Sequence, residues 1–302
     1  MPGADADSNP PTRDAARWAL PALFLGAAGI SFAPIFVRLS ETGPTATAFW
    51  RIALSLPILA LLMMRRPDAD RRLSRLSGRP WAGLIATGLF FAADLGVWHW
   101  SIRLTTVANA TLFANFAPIV VTLAAFFLFG ERFSGFFYAG LICAVLGAVL
   151  LIDASLSTSP RALLGDVLGL ATAVFYAGYL MTVSRLRARV STLTLMFWSG
   201  LVSSLALLPA ALATGEPVMP VSAGGWAVLA ALAMISQVLG QTLIAYALAH
   251  LSAAFGSVNL MLQPVLSILL AWGLLSESLG PRQMLGALIV LIGLFLAHRG
   301  RT

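Results

Sequence analysis

Lysine is absent from this 302-residue chain, so all nineteen basic residues are arginine. Charge of any kind is scarce, at 10% of residues, where a soluble domain carries roughly 25%. A chain so poor in charge cannot cover its own surface in water, and its 59% hydrophobic residues point to lipid as the solvent. Cysteine occurs once, at Cys143 within an apolar stretch, which excludes an intrachain disulfide and leaves the redox compartment open. Histidine is limited to the scattered positions His99, His250 and His298, and neither H-E-x-x-H nor G-x-S-x-G occurs. Metal or acyl-transfer chemistry wants clustered side chains, so no metal, cofactor or catalytic residue is expected. The start of the chain carries acid and proline with no obvious small-residue cleavage site, and no removable signal peptide is read there.

Long apolar runs are abundant instead. A helix needs about 20 apolar residues to cross the hydrocarbon, and ten candidates can be marked off between Arg, Pro and Gly. Their limits are 18–37, 44–64, 81–101, 105–129, 134–152, 162–183, 192–213, 225–248, 252–275 and 281–297. Short connections leave no room for a hidden soluble domain, and residues 1–17 are expected to form a disordered polar tail. The formal charge of +7 sits mostly in short arginine runs between apolar stretches, which suits contact with anionic membrane lipids rather than nucleic acid. With a cytoplasmic amino terminus, fourteen arginines fall on the inner side and four, Arg38, Arg103, Arg161 and Arg282, on the outer. That bias favours both termini in the cytoplasm of a multi-pass plasma (inner) membrane protein.

Residues 104–151 match the chain 146 residues further on without an insertion. Pro118 falls on Pro264, Glu131 on Glu277, Gly140 on Gly286 and Gly147 on Gly293. The first copy closes the fourth span and the second closes the ninth, five crossings later. Five is odd, so the copies run in opposite directions, as in secondary transporters that bind substrate near the midplane between inverted repeats. The expected architecture is all-α, with one five-helix unit over 18–152 and another over 162–297.

Here the residues match a known family. Phe49-Trp50-Arg51 in span 2, Pro118 to Gly130-Glu131-Arg132 closing span 4, Pro264 to Ser276-Glu277 closing span 9, and Gly140, Gly147, Gly286 and Gly293 together resemble the EamA-type members of the drug/metabolite transporter superfamily. The resemblance covers about residues 18–297. It implies ten helices as two inverted five-helix repeats and transport of small metabolites, often export, through a cavity lined by helices 1, 3, 4, 6, 8 and 9. Two departures stand out: Ser276 takes the place of the glycine before Glu277, and span 7 has Ser199 where span 2 has Arg51. A role for Arg51 is therefore confined to one half.

A charge at membrane depth is costly and marks function by default. Asp94 lies well inside span 3, and Trp98 one turn on can share its face; burial there favours a carboxyl able to bind and release protons, against a structural Asp satisfied by neighbouring helices. Arg51 either pairs with a carboxylate or substrate anion or snorkels to the interface. Asp166 starts span 6 and reads as a capping residue, and Glu131 and Glu277 at helix junctions read as structural members of the repeat. Pro118 and Pro264 bend their helices at equivalent depth. Asn109, Asn115, Tyr176, Tyr179, Gln237, Gln241, Asn259 and Gln263 outline a polar, partly aromatic chamber, although each could equally be interhelical glue. Gly140, Ala144 and Ala148 form a stripe for close helix packing. His99, between Trp98 and Trp100, reads as part of an interfacial aromatic belt.

The sequence is thus read as a carrier for a small-molecule substrate that works by alternating access, with protons as the coupling ion and export as the direction. The rival classes are an intramembrane enzyme and a non-transporting scaffold. A nucleotide-sugar or phosphate-ester carrier is a narrower rival, but such anions call for several basic side chains in the cavity and only Arg51 is available.

Overall fold

The computed structural model describes residues 17–65, 79–105, 107–151, 159–187, 189–275 and 280–300. Nearly all of the expected polar tail over 1–17, the arginines between 66 and 75, and Ser276 and Glu277 lie outside the described residues. Among the described residues the regular structure is helical throughout.

Seven stretches are long and apolar enough to cross a membrane: Ala19–Leu39, Pro44–Met64, Pro80–Leu104, Pro160–Leu186, Thr192–Ala213, Ala223–Ala247 and Pro281–Arg299. The expected spans 105–129, 134–152 and 252–275 are shorter or interrupted, and proline explains two of them. Proline lacks the N–H that would bond the carbonyl four residues back, so an α-helix breaks ahead of it. Pro118 separates α6 (Val107–Ala114) from α7 (Ala117–Phe129), and Pro264 separates α13 (Ala253–Asn259) from α14 (Leu262–Leu275), numbering helices along the chain. The same device divides α1 (Ala19–Ser31) from α2 (Ala33–Leu39) at Pro34, and α3 (Pro44–Ala53) from α4 (Leu56–Met64) at Pro57. Tighter i→i+3 bonds take over at the breaks, with Phe116 N–H donating to Phe113 C=O at 3.1 Å and Gln263 N–H to Leu260 C=O at 2.9 Å. These two backbone N–H groups therefore keep a partner within the chain at the breaks.

The remaining elements are α5 (Arg79–Leu104), α8 (Gly135–Leu151), α9 (Pro160–Leu186), α10 (Thr192–Ala213), α11 (Ala223–Ala231), a π-helix over Leu232–Gln241, α12 (Thr242–Ala247) and α15 (Pro281–Arg299). The π-helix departs from the regular α-helix expected over 225–248. It passes α1 at backbone contact, where a Cβ on Gly29 would meet the Ile235 carbonyl at 2.9 Å and the Gly240 Cα at 3.1 Å. Ser236 Oγ ties the crossing by donating to Gly29 C=O at 3.0 Å.

Helices α8 and α15 run antiparallel along one another. Gly140 abuts Gly293 and Ala297, whereas Gly147 abuts Gly286 and Val290, all at distances where a Cβ would strike backbone. Outward faces carry bare apolar side chains, among them Leu25, Phe127, Leu128, Ile142 and Leu205, as a surface bathed in lipid requires. Glu131 follows the left-handed Gly130 (φ 66°), whose N–H caps α7 by donating to Phe126 C=O at 3.0 Å, and its side chain is exposed.

Candidate functional site

Helix α5 places Asp94 on the same face as Leu95 and Trp98, and this face borders a narrow cavity between the two sequence-related halves. Arg51 reaches it from α3, Tyr176 and Thr172 from α9, Thr111 from α6, and Asn115 from the proline break that follows. Gln241 at the end of the π-helix and Gln263 at the start of α14 close the far wall, with Ile30 and Ala33 from the α1–α2 break. The water-accessible space is about 70 Å³, enough for a few water molecules.

Both charged groups are buried, Arg51 with 2% and Asp94 with 6% of its surface exposed. Arg51 Nε donates to Gln237 Oε1 at 3.3 Å. Its guanidinium also lies 5.9 Å from the centroid of the Phe91 ring. Phe91 stacks on Tyr179 at 4.5 Å and Tyr179 on Tyr176 at 6.0 Å, so an aromatic column runs from Arg51 to the cavity wall. Arg51 and Asp94 lie within each other's field, yet no ion pair between them forms among the described residues.

The cavity wall holds further unmet polar capacity. The Thr111 hydroxyl is buried and lacks a hydrogen-bond partner among the described residues, and the buried Tyr176 hydroxyl and Gln241 amide lie beside one another without a well-aligned hydrogen bond between them. Buried polar atoms are ordinarily paired, and each orphan costs about 1–3 kcal/mol. Two unjoined charges and three under-bonded polar groups around one small space describe a site that a polar guest would complete.

The other sequence-predicted residues take distinct places. Tyr179 stands behind the wall, with its hydroxyl 3.9 Å from Met196 Sδ, and Gln237 holds Arg51 rather than lining the space. Asn259 donates to Phe255 C=O of its own helix at 2.8 Å, and Asn115 Nδ2 to Thr111 C=O at 2.7 Å. Pro118 and Pro264 are buried at the helix breaks, and the side chain of Asn109 lies outside the described residues. Gly140 and Gly286 lie in the α8–α15 seam, away from the cavity. His99 is fully buried in the protein rather than facing lipid in a belt, and its Nδ1 lies 2.8 Å from Pro44 C=O. A bare carbonyl there fixes Nδ1 as the donor. Thr111 and Thr172 escaped the sequence reading, although each lies four residues before a residue that was singled out, Asn115 and Tyr176, on the same helical face.

Two segments, residues 17–153 and 163–299, each match the EamA-like transporter family. The chain is 29% identical over 261 residues to the pseudopaline exporter of Pseudomonas aeruginosa, covering 86% of this chain and 88% of that one. It is 28% identical to a probable terminal-alkyne amino-acid exporter of Streptantibioticus cattleyicolor, covering 89% of each. It is 25% identical to a probable amino-acid metabolite efflux pump of Escherichia coli, over 89% of this chain and 90% of that one. A protein of known crystal structure shares the fold with a TM-score of 0.79 at 19% identity, over 96% of this chain and 99% of the other. With both halves matched and nearly the whole length covered, the chain belongs to the EamA-like transporter family.

Proposed function

We propose that this protein is a secondary transporter that exports a small zwitterionic metabolite, of amino-acid type, by alternating access. The carrying observation is the cavity in which Arg51 and Asp94 are both buried without being joined. A carboxylate on the guest would meet Arg51 and an ammonium or other donor would meet Asp94, while the Thr111, Tyr176 and Gln241 side chains would take its remaining polar groups. Relatives named as exporters of amino acids and of pseudopaline agree with that chemistry. A space of about 70 Å³ is too small for such a guest, so the proline-broken helices around it must separate to admit one, as alternating access requires.

In this reading ten crossings form two inverted five-helix repeats, with both termini in the cytoplasm and the chain in the inner membrane. The antiparallel α8–α15 seam supports the inversion, because Gly140 meets Gly293, the image of Gly147 under the 146-residue shift, and Gly147 meets Gly286, the image of Gly140. Protons are the coupling ion, carried by Asp94 when no guest ammonium is present. A phosphate-ester cargo is disfavoured by a cavity with a single cation. The test is flux of a panel of labelled amino acids into proteoliposomes with and without a pH gradient. Absence of gradient-dependent flux for zwitterions, with flux of anions or neutral sugars instead, would overturn the cargo assignment.

A further inference from the structure

Far from the cavity, at the ends of α2 and α10, two loops exchange carboxylates. Glu41 sits between α2 and α3 and reaches across to the start of α11, where its Oε2 accepts from Val221 N–H at 2.9 Å and Ser222 N–H at 3.0 Å. The Ser222 hydroxyl donates to its other oxygen. In return Glu216, between α10 and α11, reaches the start of α3, where its Oε1 accepts from Ala46 N–H at 2.5 Å. Each half of the chain thus caps a helix of the other half. Helix N-termini leave donors unsatisfied and favour negative charge, so both placements are stabilising.

The sequence is built for this exchange. Gly43, the residue before α3, has no side chain with which to cap its own helix, and the acceptor comes from Glu216. Its φ of −65° is open to any residue. The glycine is therefore needed for room alone, since a Cβ there would lie 2.5 Å from the Glu216 side chain. Gly225 in the first turn of α11 is the mirror case, with a Cβ that would collide with Glu41 Oε2. Around the two carboxylates, Gly43 N–H donates to Pro217 C=O at 2.8 Å, Trp50 Nε1 donates to Val218 C=O at 2.7 Å, and Trp50 packs edge-to-face on Trp226 at 5.0 Å. One oxygen of Glu216 stays buried without a partner among the described residues, which keeps the closure short of its full strength.

We propose that Glu41 and Glu216 form a reciprocal latch that closes the outer end of the carrier and must part in every transport cycle. The inference rests on the alternating-access reading, and it assigns a gating role to two loop residues remote from the cargo. Alternating access requires one end to seal while the other opens, and this latch is a hydrogen-bonded closure between the two halves, backed by the single Trp50–Trp226 ring contact.

The test uses the full-length chain carrying Cys143→Ala and a single reporter, Thr111→Cys, in the cavity wall. Intact cells are treated with a membrane-impermeant thiol reagent, and everted vesicles are treated in parallel. Glu41→Gln combined with Glu216→Gln, and separately Gly43→Ala, should each speed labelling from outside about tenfold, the scale of one lost charge-assisted bond. Glu216→Asp, which keeps the charge, should fall between these and the unaltered latch. Unchanged labelling from both faces in the double variant and in Gly43→Ala overturns the latch. Faster labelling from the vesicle side alone also overturns it, since the seal would then lie at the other end. Labelling is read without any cargo, so a latch that responds in a protein with no measurable flux would leave the gate standing while removing the transport reading.

Discussion

Arg51 and Asp94 border one cavity and remain unjoined, although each is almost wholly withdrawn from water. Two opposite charges buried at membrane depth would gain by closing on one another, and removing either partner of a buried pair typically costs 3–5 kcal/mol. The frame around them resists closure. Gln237 holds the guanidinium, and the Phe91–Tyr179–Tyr176 column braces α5 against α9.

Asp94→Asn should reduce gradient-driven flux by at least roughly tenfold, because the amide keeps the shape and loses the proton site. Exchange of labelled for unlabelled cargo without a gradient should survive better than net flux. Equal gradient-driven flux in Asp94→Asn and the parent, measured in proteoliposomes at several pH values, would remove the coupling role.

Gln237→Leu leaves Arg51 charged and unsupported. Loss of one hydrogen bond to a charged group is worth about 1.5–3 kcal/mol, so the half-saturating cargo concentration should rise about tenfold or more while maximal flux changes little. A fall in maximal flux at unchanged half-saturation would place Gln237 in the transport movement instead.

Much of this site was legible because burying charge in lipid is so costly that a lone Asp94 in an apolar run announces itself. Trp98 followed from helical spacing, and Tyr176 and Gln241 from being polar side chains within apolar spans. The π-helix was not legible, since four-residue spacing put Gln237 and Gln241 on one α-helical face, whereas the wider turn leaves Gln241 on the cavity and Gln237 on Arg51. The latch was out of reach for a different reason. Glu41 and Ser222 are 181 residues apart in sequence and meet only after both halves are packed, and acidic residues in short loops look like ordinary solvated connections. His99 was read as a member of a lipid-facing belt because a tryptophan-flanked histidine at a span end has that pattern, whereas its ring is buried in the protein against the Pro44 carbonyl.

Acid should loosen the latch. The Ser222 hydroxyl, with the Ser222 and Val221 N–H groups, holds the Glu41 carboxyl below its ordinary value of 4.5. A depressed carboxylate contributes its stabilisation fully above the unfolded value and loses it as pH falls through the lower folded one. Outside labelling of a Thr111→Cys reporter, divided at each pH by the rate of a free small thiol so that the falling thiolate fraction cancels, should therefore be flat from pH 8 to about 5 and rise below about 4.5. Glu41→Gln should label fast throughout; a parent profile that stays flat down to pH 3 would exclude a titrating Glu41.

Topology reporters inserted beside Arg132 and Arg282 should give opposite signals, inside for the first and outside for the second. The same signal at both sites would end the inverted arrangement.

Gly293→Leu should lower the melting temperature of the purified protein in detergent, with an overpacking cost of about 1–3 kcal/mol, because a Cβ there already lies 2.5 Å from the Ala144 amide. Gly273→Leu, where a Cβ meets nothing within 4 Å, is the matched control and should leave melting unchanged.

The glycine seam between α8 and α15 has the form of a self-complementary contact, in which each partner offers the other the same patch. Two identical subunits meeting this way would acquire every substitution twice, once on each side of the axis. Fusing them into one chain lifts that constraint: the seam can stay matched while the cavity holds an arginine contributed by one half only, the other half having Ser199 at the corresponding place in its sequence. A guest with two unlike ends can then be gripped in a single orientation, which a symmetric pair could not enforce.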